Sequence, residues 1–259
     1  MVYNNDDDIL RKRTIEMIIQ ESSITITYKR IEGLKKAYYT NDEILKEHFS
    51  EATVLPVPDD APLEIPRIIV KTLNEHGQLN ISPIAATFQV KYNDGYENDW
   101  QKCSSYLCER MNFVFRFLNL LTNDCYDYIG LVTNILYDEV TSDGAKKLSS
   151  VLLNSKGISD LYDINIRYTF LEDNDIFVNI MLQNARMFEQ GLDGSKAGAL
   201  SSDRQLFESI GAVIDINDRR AFNNKPGYTS SSLMMNKLIN SMNNVINIKL
   251  RKLIEKGEY

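Results

Sequence analysis

A chain of 259 residues with 43% apolar and 25% charged side chains holds enough apolar material for one substantial core, which excludes a disordered, fibrous or membrane-embedded protein. A net charge of −7 argues against non-specific nucleic-acid binding, because neutralising phosphates takes a surplus of Lys and Arg. The start at Asp6-Asp7-Asp8 is acidic and no apolar segment follows it, and no run approaches the roughly 18 apolar residues of a membrane span, so a cytoplasmic protein without membrane contact is expected.

In chain order, residues 8–20 have apolar spacing for a short helix, with Ile9, Ile15, Ile18 and Ile19 on one face. Residues 23–30 alternate as a half-buried strand through Ile24, Ile26 and Tyr28. Ile44, Leu45 and Phe49 suit a short helix, and the stretch 56–62, rich in Pro and Asp, is an irregular connector. Two strands, 63–73 and 79–92, are expected across the turn at Asn74-Glu75-His76-Gly77. Trp100, Cys103, Leu107, Met111, Val114, Leu118 and Leu121 recur at spacings of three and four, the mark of an amphipathic helix facing a core.

A strand over 126–137 and a helix over 143–154 come next, then a hairpin that alternates through Ile164, Ile166, Tyr168 and Phe170 and back through Ile176, Val178, Ile180 and Leu182. Residues 189–204 read as a loop, 210–216 as a strand and 230–256 as one long helix. Strands in hairpins with helices after them predict an α+β fold, an antiparallel sheet covered by long helices. One domain over 1–259 is expected, with 1–61 as an N-terminal extension and 62–155 and 156–259 as related halves.

Few residues suggest chemistry. His48 and His76 are the two histidines, and no Gly-x-Ser-x-Gly elbow accompanies them. Cys103, Cys108 and Cys125 lack Cys-x-x-Cys spacing and read as buried free thiols. Around Lys196 the glycines do not have the spacing of a phosphate loop. Asp215 and Asp218, followed by Arg219-Arg220, read as a strand-end ion-pair cluster. If the hairpin over 63–92 brings strand start and strand end together, Asp60, Gln89 and Lys91 converge, which looks like the core of the PD-(D/E)xK nuclease superfamily and its magnesium-activated water. Gln89 stands where that pattern has an acidic ligand.

From Pro62 to Lys256 the chain resembles a sporadically distributed family of uncharacterised prokaryotic proteins. The resemblance rests on Pro62-Leu63-Glu64, Ile81-Ser82-Pro83, Tyr96 with Trp100, the run from Ile129 to Ile135, and Ile214-Asp215-Ile216. It implies an α+β fold, no established activity, and the patchy occurrence common among defence and conflict genes. The first-ranked function is therefore a non-enzymatic protein-binding or scaffold component, self-associating or docking a protein partner, with no cofactor. Its expected binding residues are on the terminal helix: Met235, Met242, Lys249, Leu250, Arg251, Lys252 and Leu253. A magnesium-dependent nuclease centred on Asp60, Gln89 and Lys91 is one alternative, and a nucleic-acid binder using the basic residues from Arg219 onward is the other.

Overall fold

The computed structural model describes residues 17–58, 60–93, 95–137, 143–153, 160–188 and 205–259. Its strands are β1 (Met17–Thr27), β2 (Thr53–Val54), β3 (Ile68–Lys71), β4 (Gly77–Ile81), β5 (Ala85–Lys91), β6 (Tyr128–Tyr137), β7 (Asn165–Glu172), β8 (Ile176–Phe188) and β9 (Gln205–Asn217). The helices are α1 (Leu34–Asn41), α2 (Trp100–Thr122), α3 (Gly144–Leu152), α4 (Arg219–Asn224), α5 (Met234–Asn244) and α6 (Leu250–Lys256). This is a mixed helix and strand fold. All nine strands join one antiparallel sheet in the order β2-β3-β4-β5-β1-β6-β9-β8-β7.

Side chains of a strand alternate between faces, so lateral register decides which residues share one. Val70, Leu79, Phe88, Ile24, Leu131, Ile216 and Val178 lie side by side across seven strands, each at most 1% exposed. Leu107, Met111 and Leu118 of α2 and Leu238, Met242, Leu250 and Leu253 of α5 and α6 belong to the same core. At the start of α2 the Asp99 carboxylate accepts from the N–H groups of Gln101 (3.0 Å) and Lys102 (3.2 Å). That satisfies two donors with no intrahelical partner.

Several expectations are corrected. The helix over 8–20 lies outside the described residues as far as residue 16, and 17–20 belong to β1. A register shift between Ile19 and Glu21 places both Ile19 and Ser22 on the buried side, which breaks the period of two. Residues 79–92 are two strands, not one, because Ser82 and Pro83 turn the chain, with the Ala85 N–H donating to Ser82 Oγ at 3.0 Å. Only 68–71 of the 63–73 stretch is strand. Arg67, 4% exposed, instead gathers the preceding turn by donating to the carbonyls of Ile65 (2.7 Å) and Ala61 (3.1 Å).

In place of a helix at 44–49, α1 ends at Asn41 and a short 3₁₀ turn over Asp42–Ile44 follows it. β1, in the segment expected as an N-terminal extension, is the strand that joins β5 to β6. The loop expected over 189–204 lies outside the described residues. The terminal helix runs from Met234 to Lys256 with a π turn over Val245–Lys249, and α4, which was not expected, precedes it.

Candidate functional site

The second face of the sheet carries the polar half of each alternation. One row runs Lys71, Gln78, Gln89, Ser23, Val132, Asp215, Asn179, Thr169 across eight strands. The row beside it runs Asn80, Thr87, Thr25, Gly130, Asn217, Phe177, Leu171, and on the other side lie Lys91, Glu21, Asn134, Val213, Met181, Arg167. Amides and hydroxyls dominate these rows where a freely solvated face commonly carries Lys and Glu.

Many of these side chains bind one another. Glu21 accepts from Asn134 Nδ2 at 2.6 Å and from Gln89 Nε2 at 3.1 Å, so one carboxylate ties β5, β1 and β6. Asp215 accepts from Asn217 (2.8 Å) and Asn179 (3.1 Å). Asn179 in turn accepts from Thr169 (2.8 Å) and Arg167 (3.1 Å). Thr25 and Thr87 hydroxyls meet at 3.1 Å, and Gln78 donates to Asn80 at 2.9 Å. Such bonds, most of them cross-strand, fix rotamers before any partner arrives.

At one end of this face α4 sets two guanidinium groups against aromatic rings. Arg219 lies 5.5 Å from the Tyr128 ring centroid and Arg220 lies 5.8 Å from that of Phe177. Phe222 packs against Tyr128 and is itself 39% exposed. Among the described residues neither arginine forms an ion pair. The expected Asp215/Asp218 pairing with Arg219-Arg220 is corrected. Asp218 is fully buried, where it accepts from the Ile129 N–H (2.6 Å) and the Tyr228 hydroxyl (2.7 Å). Burial, and secondarily this bond, push the Tyr228 phenol well above the usual tyrosine range.

The residues of the nuclease alternative are not brought together. Asp60 is exposed on the turn gathered by Arg67, and Arg67 bonds to Ile81, whose strand partner is Ala86. Gln89 and Lys91 are three and five residues farther along β5, about 10–17 Å at 3.4 Å per residue. Gln89 is committed to Glu21. Among the described residues no group of three or more His, Cys, Asp or Glu is placed to hold a metal ion.

His48 contacts Arg110 through Nδ1 at 2.8 Å and stands edge-on to Phe113, while His76 is exposed in its turn. Met235, Met242, Leu250 and Leu253 are at most 5% exposed, so the stripe expected to meet a partner packs in the chain's own core. Of the cations there, Arg251 pairs with Glu255 at 2.8 Å, Lys249 lies 4.1 Å from the Tyr259 ring centroid, and Lys252 is exposed. No helix among the described residues is long and apolar enough to cross a membrane. Comparison with family models, with curated proteins and with solved structures finds no match.

Proposed function

We propose that this chain is a non-enzymatic binding or scaffold component of a prokaryotic cytoplasmic system, of the accessory kind found in defence, and that it docks a protein on the polar face of its sheet. The observation that carries this reading is the internally bonded, amide- and hydroxyl-rich face that ends in the Arg219, Arg220, Tyr128, Phe177 and Phe222 cluster. Eight strands at ~4.8 Å and three rows of side chains at ~6.8 Å give a face of roughly 40 by 20 Å, about 800 Å², the area one partner contributes to a standard interface. Arginine and aromatic side chains dominate binding energy at such interfaces. The unpaired arginines favour a partner with acidic groups at that rim.

Duplication belongs to the same proposal, with boundaries 17–123 and 126–256. Strand, helix, three-strand meander and helix occur as β1, α1, β3-β4-β5, α2 and as β6, α3, β7-β8-β9, α5, with β1 beside β6. The resemblance to the sporadic prokaryotic family supports the accessory role. The test is co-purification from the native host with tagged wild type, with Arg219→Glu/Arg220→Glu, and with Lys237→Glu/Lys252→Glu on the helices as control. A tenfold or greater loss of the same protein partner is expected for the first pair and none for the second. Equal recovery from both, or recovery of nucleic acid in place of protein, overturns the reading.

A further inference from the structure

The two outer strands of the sheet are treated differently. The β3 edge is covered within the chain: β2 pairs with it, the Ser50 N–H donates to the Lys71 carbonyl at 2.8 Å, and the Leu55 N–H donates to the Arg67 carbonyl at 2.8 Å. On the other side, among the described residues, β7 pairs with β8 alone. The Asn184 N–H donates to the Ile164 carbonyl, which sets the phase of the β7–β8 ladder. Ile166, Tyr168 and Phe170 therefore turn their backbone groups toward β8, and Asn165, Arg167, Thr169 and Leu171 turn theirs outward. Among the described residues nothing hydrogen-bonds to those outward groups.

Exposed edges are ordinarily guarded by Pro, bulges, short length or projecting charge. β7 is 8 residues long, NIRYTFLE, and pairs with β8 without a register shift. Its Arg167 is folded back onto Asn179, and its Glu172 accepts from Ser241 Oγ at 2.6 Å. Among the described residues no guard remains on it. We propose that β7 is a self-assembly edge: two copies pair antiparallel about a two-fold axis at Tyr168, merging two sheets into one.

The register follows from the strand itself. With Tyr168 opposite Tyr168 of the second copy, Asn165 meets Leu171 and Arg167 meets Thr169, so each outward N–H and C=O finds a partner. Ile166 meets Phe170 on the core side, an aromatic and β-branched pair. An axis at Arg167 opposes two like charges, and one at Thr169 sets Asn165 against Asp173, which has a left-handed backbone (φ 51°). An axis between residues sets opposite faces against each other. Closed two-fold assembly needs only this one self-complementary edge.

The inference stands on the edge alone and is read on purified protein, so it succeeds or fails independently of the partner on the polar face. Light scattering of the full chain over a range of concentrations is expected to give a dimer. Thr169→Pro removes an outward N–H without touching the β8 ladder and is expected to give a folded monomer by circular dichroism. If that variant does not fold, Tyr168→Cys in a Cys125→Ser background decides. Residues opposed across a non-hydrogen-bonded pair lie ~4.5 Å apart at Cα, within disulfide reach. Oxidation should then yield a covalent dimer, and Leu171→Cys in the same background should not. A wild type that stays monomeric, a dimer that survives Thr169→Pro, or the absence of a Tyr168→Cys disulfide overturns the proposal.

Discussion

Replacing Asp218 with Ala tests whether this buried carboxylate clamps the sheet or belongs to a surface ion-pair cluster. Its two oxygens accept from the Ile129 N–H at 2.6 Å and the Tyr228 hydroxyl at 2.7 Å, and the residue is 0% exposed. A hydrogen bond to a charged group is worth about 1.5–3 kcal/mol, and a buried donor left without a partner costs about 1–3 kcal/mol. The alanine also removes the unfavourable burial of the charge. A net loss of about 3–5 kcal/mol follows for Asp218→Ala. Asp218→Asn keeps an acceptor for Ile129 and presents a donor to the Tyr228 oxygen, so its loss should be about 1–2 kcal/mol. Urea unfolding followed by fluorescence measures both, at one protein concentration because self-assembly would add a mass-action contribution. A loss below about 1 kcal/mol for Asp218→Ala, or an equal loss for Arg219→Ala, refutes the clamp.

Trp100→Ala, which empties a core position only 3% exposed, should cost about 3–5 kcal/mol in the same assay while leaving partner capture by the remaining folded protein unchanged. Leu250→Glu/Leu253→Glu, at positions 0% and 2% exposed, should unfold the chain instead of changing its assembly state, as light scattering beside thermal melting will tell. Burial pushes the Cys103 thiol up to about 12, with Asp99 adding to the effect, whereas Cys125 is exposed. A disulfide reagent at pH 8 should therefore label Cys125 first and Cys103 only on unfolding. The sign of the linkage follows: as pH rises from 9 toward 12 the unfolded thiol ionises and the folded one does not, so Cys103 lowers stability across that window, which urea midpoints at stepped pH will register.

Local signals carried much of the fold. The apolar stripe from Trp100 to Leu121 marks α2, because a helix closes its own hydrogen bonds and shows its period directly. The β7–β8 hairpin was equally plain: its strands alternate, and Asp173 and Asn174 take the left-handed backbone (φ 51° and 59°) that these residue types tolerate at a turn. Reading failed where a single residue breaks the period, as at the β1 bulge after Ile19. It also failed where width matters: nine strands offer the terminal helix more apolar surface than a modest sheet, so its stripe is consumed inside the chain.

The candidate site was not visible because it is made of a few ordinary polar residues on each strand, and only lateral order, set by pairings up to 113 residues apart as between Glu21 and Asn134, assembles them. A signal existed. Gln78, Asn80, Gln89, Asn134, Asn179 and Asn217 are amides at outward positions of β4, β5, β6, β8 and β9, where Lys and Glu are the common choice.

Cross-linking mass spectrometry of the complex purified from the native host tests the central claim most directly, because reactive lysines stand on both sides of the sheet. Lys71 and Lys91 belong to the polar face, and Lys237, Lys252 and Lys256 are exposed on the helices. Cross-links from Lys71 and Lys91 to the partner, with the helix lysines modified but not cross-linked, are the predicted result. Cross-links confined to Lys237, Lys252 and Lys256 would contradict it and place the partner on the helices.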